Sequence, residues 1–171
     1  DTSGVKDFSY ALSQHRNIGG TYAANGNPKA ATFVGTAISK WITASATILD
    51  NTFNGASAMN ADLSTWNVAK VTTLWATFSS AKKFAAQGLW LWDVEAVKMF
   101  DDVFGAGGVR AAGVCGASDC NKKRIGSKWK IHGVFDDTFG GTQSSWADLA
   151  CDPDRKLTSS AINRAAWDWI N

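Results

Sequence analysis

Apolar residues recur along this chain with a period of 25 to 26 residues. A clear copy of the pattern repeats at an offset of 26, and a weaker copy lies upstream at an offset of 25. The matched positions are Leu63 and Leu89, Trp66 and Trp92, Val71 and Val97, Leu74 and Phe100, and Phe78 and Phe104, with Trp41, Leu49 and Phe53 in the upstream copy. In every copy the Trp precedes the Phe by 12 residues. A recurring apolar pattern with variable residues between its members predicts stacked coils.

Two spacings alternate within each copy. The pair Trp66 and Val68 is two residues apart, which predicts a short strand with both side chains on one face. The next apolar positions are spaced by three, four and three residues, which is typical of one side of a helix. They are Val71, Leu74, Phe78 and Ala81. We therefore expect an α/β fold, a short solenoid of about four strand-turn-helix coils with a capping segment at each end.

The 171 residues predict a single domain with three parts. Residues 1–37 are expected to form an N-terminal cap and residues 38–140 the repeat coils. A helix is expected from Lys29 to about Thr43, because its apolar residues follow i, i+3, i+4 spacing. Residues 141–171 are expected to form a C-terminal cap with an amphipathic helix.

An insertion interrupts the regular spacing after the third copy. The segment 99–104 returns at 134–139, which is 35 residues later instead of 26. The extra residues fall in a Gly-rich stretch, so we predict an insertion at 105–128. Insertions on one face of a solenoid are usually loops and often carry binding.

Composition excludes several classes of protein. A hydrophobic fraction of 45% with nine Trp residues is that of a folded chain, and no apolar run is long enough to form a transmembrane helix. A formal charge of +2 gives no reason to expect nucleic acid as a partner. The chain opens at Asp1 without an initiator Met, which favours a processed, exported protein.

The repeat resembles the 26-residue repeat of bacterial surface proteins, the BspA-type leucine-rich-repeat relatives. The segment Leu63-Ser-Thr-Trp66-Asn67-Val68-Ala-Lys-Val71 begins the match, and residues 41–106 carry it. The resemblance implies a curved or twisted scaffold that binds other macromolecules. It provides no catalytic residues.

Aromatic and basic residues outside the repeat pattern are the candidate contacts for a partner. Trp75 and Trp90 lie next to pattern positions and are candidate interface anchors. A basic and aromatic patch near the insertion is the second candidate, and a solvated loop is the alternative interpretation. It consists of Lys122, Lys123, Arg124, Lys128, Trp129 and Lys130.

The three cysteines predict one disulfide in an exported protein. The candidates are Cys115, Cys120 and Cys151, and free thiols in a reducing compartment remain the alternative. A zinc site formed with His132 lacks the usual second pair of ligands. The acidic pairs at 101–102 and 136–137 are expected to be solvated helix starts rather than cation ligands.

These observations favour a binding or structural subunit that is not an enzyme and has no metal or cofactor, since no catalytic motif is present. Its partners are expected to be other protein subunits, with membrane contact only through a complex. An accessory subunit of a membrane assembly, such as a photosynthetic one, is one form of this hypothesis. The expected location is outside the cell or in an organelle lumen, including the thylakoid lumen. The alternatives are a cell-surface adhesion module cut from a longer repeat protein and, more distantly, a thiol-dependent enzyme.

Overall fold

The computed structural model describes residues 1–14, 16–18, 21–23, 26–105, 118–129 and 146. Its regular elements in chain order are strands β1 (Arg16–Ile18) and β2 (Thr21–Ala23), the 3-10 helices η1 (Pro28–Thr32), η2 (Ile38–Lys40) and η3 (Leu89–Leu91), and the α-helix α1 (Asp119–Trp129). β1 and β2 pair antiparallel, with Asn17 opposite Tyr22. Most of the remaining described chain consists of turns, ordered by hydrogen bonds between successive copies of the repeat.

Four short segments run parallel to one another and are hydrogen bonded in series. We call them rungs 1 to 4, and they comprise residues 7–14, 48–55, 73–80 and 99–105. Parallel bridges join Asp7 to Ile48, Ile48 to Thr73 and Thr73 to Met99. From rung 2 to rung 3, every second amide donates to the next rung: Leu49 N to Thr73 O at 3.2 Å, Asn51 N to Trp75 O at 2.8 Å and Phe53 N to Thr77 O at 2.9 Å. The same ladder joins rungs 1 and 2 and rungs 3 and 4.

The structure has consecutive turns where the sequence predicts an α-helix over 71–81. The amides that alternate with those of the ladder donate within their own rung and close turns. Thr77 N, for example, donates to Leu74 O at 3.2 Å. Ala76 is in the left-handed region with a φ of 50°, and so are its equivalents in the other rungs, Tyr10, Asn51 and Asp102. An α-helix uses its amides internally and does not tolerate left-handed residues, so it cannot form this ladder. The helix predicted at the equivalent positions of the next copy, Val97, Phe100 and Phe104, is wrong for the same reason.

Two other predicted elements also differ from the structure. The segment 63–68 contains no strand, and its equivalent in the next copy includes η3. The helix expected from Lys29 to Thr43 is instead split into η1 and η2. Gly35 lies between them with a φ of 89°, which a right-handed helix cannot accommodate.

The recurring Trp-Asn/Asp-Val sequence has a separate physical role for each residue. The Val side chains at 68 and 94 are buried in the core. Asn67 and Asp93 are exposed, and each side-chain oxygen accepts the amide two residues ahead, at 3.1 and 3.2 Å. Such local side-chain bonds favour turns, so the middle residue bends the chain between its two buried neighbours.

The Trp of each copy stacks on the Trp of the next. Ring centroids are 6.1 Å apart between Trp41 and Trp66 and 6.3 Å apart between Trp66 and Trp92, with interplanar angles of 12° and 5°. The indole nitrogens of Trp66 and Trp92 donate to carbonyls of the preceding copy, Ile38 O at 2.9 Å and Leu63 O at 3.0 Å. These bonds satisfy the one polar atom of each buried ring and fix its depth in the core.

Phenylalanine rings form a second column, inside the rungs. Phe53 stacks on Phe78 at 5.6 Å, and Phe78 stacks on Phe104 at 5.9 Å. Beside this column, the buried hydroxyl of Thr77 lies 2.7 Å from Leu74 O and 3.0 Å from Leu49 O in the preceding rung. A buried hydroxyl between two rungs supplements the backbone ladder in a region that water does not reach.

Gly88 accommodates the one residue by which the second copy is longer than the first. Ala61 and Ala86 are buried equivalents 25 residues apart, whereas Leu63 and Leu89 are 26 apart, so the extra residue lies between 86 and 89. Gly88 has a φ of 84°, and a Cβ there would lie 2.5 Å from Ser64 N. The extra residue therefore requires a glycine at this close contact between two copies.

We expect Gly88→Ala to lower the free energy of unfolding by about 3 kcal/mol, because the new methyl overlaps backbone and φ is unfavourable for alanine. Urea denaturation followed by circular dichroism measures the change. Gly4→Ala is the matched control, since a Cβ at Gly4 meets nothing within 4 Å. Equal unfolding midpoints for the two variants would contradict the assignment of a tight contact at Gly88.

Ser80 offers a test in the opposite direction. It is exposed with a φ of 58°, and its equivalent in rung 2 is Gly55, with a φ of 75°. We expect Ser80→Gly to raise the free energy of unfolding by about 0.5 kcal/mol, because glycine carries no penalty in the left-handed region. Ser79→Gly, at a residue without a positive φ, should lower the free energy of unfolding. A lower thermal midpoint for Ser80→Gly would refute this account of the turn.

Candidate functional site

The rungs present one side chain inward and the next outward where the parallel bridges lie. Phe8, Leu49, Leu74 and Phe100 point inward and are at most 5% exposed. The residues on either side of them are exposed or half-buried. We call these residues the outer strip: Asp7 and Ser9, Ile48 and Asp50, Thr73 and Trp75, and Met99 and Asp101. This alternation is that of β-strands with one buried face.

Asp50 is the most constrained polar residue of the outer strip. Its Oδ1 accepts hydrogen bonds from Thr73 Oγ1 at 2.5 Å and from Trp75 N at 3.0 Å, both in the next rung. Burial raises the pKa of Asp50, the two hydrogen bonds oppose this, and the nearby charge of Asp7 raises the pKa further. Asp50 is thus a half-buried carboxylate that joins rungs 2 and 3 and whose negative charge is disfavoured by its surroundings.

Trp75, predicted from the sequence as an interface anchor, lies on the outer strip. Its side chain is half-buried and does not belong to the hydrophobic core cluster. Met99, in the neighbouring rung, is 44% exposed. A large aromatic side chain held at the surface by an ordered backbone is the kind of residue that anchors protein interfaces.

Trp90, the second predicted anchor, is engaged within the chain. It packs partly buried against the core, and the guanidinium of Arg124 lies 4.8 Å from its ring centroid. Asn121 of α1 also donates to Ala85 O at 2.7 Å. The structure therefore brings two predicted contact residues together, in a cation–π contact that holds α1 against the segment around η3.

Trp129 was predicted to contact a partner, and that prediction is wrong. Its side chain is fully buried, and it stacks on Trp92 at 6.4 Å and on Phe104 at 6.1 Å. Residues 119–128, expected to belong to the insertion at 105–128, form most of α1. The reason is the i, i+4 spacing of Ile125 and Trp129, which gives this helix a buried face over rung 4.

The basic residues of the predicted patch have different surroundings. Lys122 forms a salt bridge of 3.5 Å with Asp119, which is exposed and therefore contributes little stability. Lys128 is exposed, and Lys123 is half-buried like Arg124. Lys130 lies outside the described residues.

The cysteines and the acidic pairs divide between described and undescribed parts of the chain. Cys120 is disulfide-bonded, while Cys115, Cys151 and His132 lie outside the described residues. Asp102 is the left-handed residue of rung 4, a position that suits Asp, and its neighbour Asp101 is exposed. The second acidic pair, at 136–137, is not described. Among the residues that are, no group of three His, Cys, Asp or Glu side chains is placed to hold a metal ion.

Asp50 and Met99 are surface residues that the sequence analysis did not select. The signal for both is the alternation of 48–50, 73–75 and 99–101, which places one apolar residue between two outward-facing ones in each rung. A helix places residues two positions apart on different sides, so the helical prediction does not bring the outward-facing residues of each rung onto one surface.

The described structure defines a class of protein in which copies of a 25- to 26-residue repeat are hydrogen bonded in series. Residues 27–111, just under half of the chain, match the family model described as a Mycoplasma protein of unknown function, DUF285. This span contains rungs 2 to 4. No curated protein and no solved structure matches the chain. In the described part of the chain, no helix is long and apolar enough to cross a membrane.

We expect Asp50→Asn to raise the free energy of unfolding at neutral pH. Asn keeps an oxygen for Thr73 and Trp75 but removes the partly buried charge. The pKa of Asp50 is raised in the folded protein, so its protonation favours folding of the wild type. The deficit of the wild type in free energy of unfolding, relative to Asp50→Asn, should therefore shrink as the pH falls through that pKa. Urea denaturation at neutral and acidic pH measures the difference. Asp62→Asn, at an exposed carboxylate, serves as the control, and a deficit that grows with acid would contradict the burial of Asp50.

Proposed function

We propose that this chain is a short solenoid of the BspA-type leucine-rich-repeat kind, working as a non-catalytic binding or structural subunit that docks on a larger assembly. The observation that best supports the proposal is that inward and outward side chains of each rung have separate roles. Inward side chains and the backbone ladder carry the fold, so outward side chains are free to suit a partner. The outer strip, with Trp75 near its centre, is the surface that this division leaves available.

The contact surface that we propose is smaller than the set predicted from the sequence. Trp90 and Trp129 pack within the chain, so they contribute to stability before they contribute to binding. On α1, Lys128 is exposed, whereas Lys122 is paired with Asp119.

We further propose that the protein works outside the cell or in an organelle lumen. The disulfide at Cys120 supports this, because disulfides persist in oxidising compartments and are rare in the cytosol.

Trp75→Ala tests the docking proposal. We expect the tagged wild-type protein to co-purify stoichiometrically with its complex from its native cells, and Trp75→Ala to lose at least about tenfold of that yield. Mass spectrometry quantifies the partners. Leu91→Ala is the matched control, because Leu91 is a 62% exposed apolar residue outside the rungs. If both variants fold and retain the same partners as the wild type, the outer strip is not the docking surface.

A further inference from the structure

The outer strip carries acidic and apolar side chains and no basic ones. Its carboxylates are Asp7, Asp50 and Asp101, and its apolar side chains are Ile48, Trp75 and Met99. Lys6 and Lys98 immediately precede rungs 1 and 4 in the sequence, and both are exposed at one edge of the strip. Negative charge is therefore concentrated away from that edge, at Asp50 and Asp101, on either side of Trp75.

We propose that the outer strip binds a cationic, partly apolar segment of a partner protein. Trp75 and Met99 contact its apolar side chains, and Asp50 and Asp101 pair with its Lys or Arg groups. This inference rests on the proposed function and names the chemistry of the partner.

The spacing of the rungs suits an extended segment. Neighbouring rungs of a parallel ladder are about 4.8 Å apart, so the backbones of rungs 2 and 4 are separated by about 10 Å, with Trp75 of rung 3 between them. An extended chain advances about 3.4 Å per residue. Side chains of an extended segment alternate between its two faces, so residues two positions apart lie on the same face, about 7 Å apart. A segment with a basic, an apolar and a basic residue at every second position therefore presents them to the strip in the order carboxylate, indole and carboxylate, and long Lys or Arg side chains span the remaining difference in spacing.

Asp50 is suited to receive a cation. Both of its hydrogen bonds use Oδ1, so Oδ2 accepts none from the described residues. The partial burial that disfavours its charge also reduces the screening of a cation beside it. A Lys or Arg at Oδ2 would compensate for the lost hydration, and the strip would gain a specific contact at its centre.

Other exposed features give weaker candidates. Val34, Ile42 and Leu91 are exposed apolar residues, but they belong to separate segments outside the rungs. Single exposed apolar residues are ordinary on protein surfaces. On α1, Lys122 is paired with Asp119, and Arg124 is stacked on Trp90. Within the part of the chain that the structure describes, only the outer strip combines an aromatic anchor with charge of one sign.

Fluorescence anisotropy tests the proposal with a labelled short peptide, the Lys–Leu peptide, in which Lys-Ser-Leu-Ser repeats so that Lys and Leu share one face of the extended chain. We expect saturable binding in the micromolar range that weakens at least about fivefold between about 0.05 and 0.3 M NaCl. The same peptide with Glu in place of Lys, the Glu–Leu peptide, should not bind, and a peptide of alternating Lys and Ser should bind at least about tenfold more weakly. Trp75→Ala should weaken binding of the Lys–Leu peptide about tenfold.

Charge variants provide the matched control. Asp50→Asn combined with Asp101→Asn should weaken binding of the Lys–Leu peptide about tenfold. Asp62→Asn combined with Asp93→Asn makes the same change of net charge at exposed residues outside the strip and should leave binding unchanged. Equal losses for the two pairs, or equal binding of the Lys–Leu and Glu–Leu peptides, would overturn the proposal.

The native pull-down separates this inference from the proposed function. If Trp75→Ala loses the partner and the double variant at Asp50 and Asp101 retains it, the docking surface stands and the cationic partner is refuted. If neither variant loses a partner, the docking function itself fails. A wild-type dimer in sedimentation velocity that Trp75→Ala abolishes would identify the occupant as a second copy and would also overturn the proposal.

Discussion

The fold depends on the donation of every second rung amide to the next copy of the repeat. These amides donate outside their own copy, so they cannot close turns within the rung. A left-handed residue at one equivalent position of each rung lets the backbone turn instead. Tyr10, Asn51, Ala76 and Asp102 are chemically unrelated and share only this conformation. Backbone geometry is thus what the copies hold in common at that position, at a cost that the ladder and the core offset.

A ladder of single bridges gives little stability unless the space beside it is filled. The stacked columns of Trp and Phe fill it, and their ring separations of 5.6 to 6.4 Å exceed the spacing of neighbouring rungs, about 4.8 Å. Rings of the two columns also contact each other, with centroids 5.6 Å apart for Phe53 and Trp66 and 6.0 Å apart for Phe78 and Trp92. Trp129 of α1 continues the Trp column beyond the third copy, so a helix of different sequence performs the packing task of the next repeat.

The sequence predicts the core of this molecule better than its secondary structure. The periodic apolar positions Leu63, Trp66, Val71, Leu74 and Phe78 are all buried. The 3-4-3 spacing of Val71, Leu74, Phe78 and Ala81, however, is produced equally by a helix and by consecutive turns that bury one residue each, so spacing alone could not choose between them. The choice is made by hydrogen bonds between residues 25 apart, which a local pattern does not contain.

The absence of long-range contacts from a local pattern also determines which candidate site residues could be found from the sequence. Trp75 was identified because it falls outside the apolar pattern, and it does lie outside the core. Trp129 also falls outside the pattern, yet it is buried, because α1 folds back over rung 4. For Asp50, the sequence gives a carboxylate between Leu49 and Asn51, and only the register of the rungs places it against Thr73 and Trp75.

The strict requirements of the core have a consequence for evolution of the surface. Replacing an inward residue disturbs two neighbouring copies at once, whereas an outward residue of the strip contacts at most its neighbours on the same face. Asp50 and Thr73 are exceptions among the outward residues of the strip, because their side chains bond to each other across rungs 2 and 3 while both remain partly exposed. A partner that pairs with Asp50 therefore acts on a bond between rungs 2 and 3, so that binding and the stability of the stack are linked through one carboxylate.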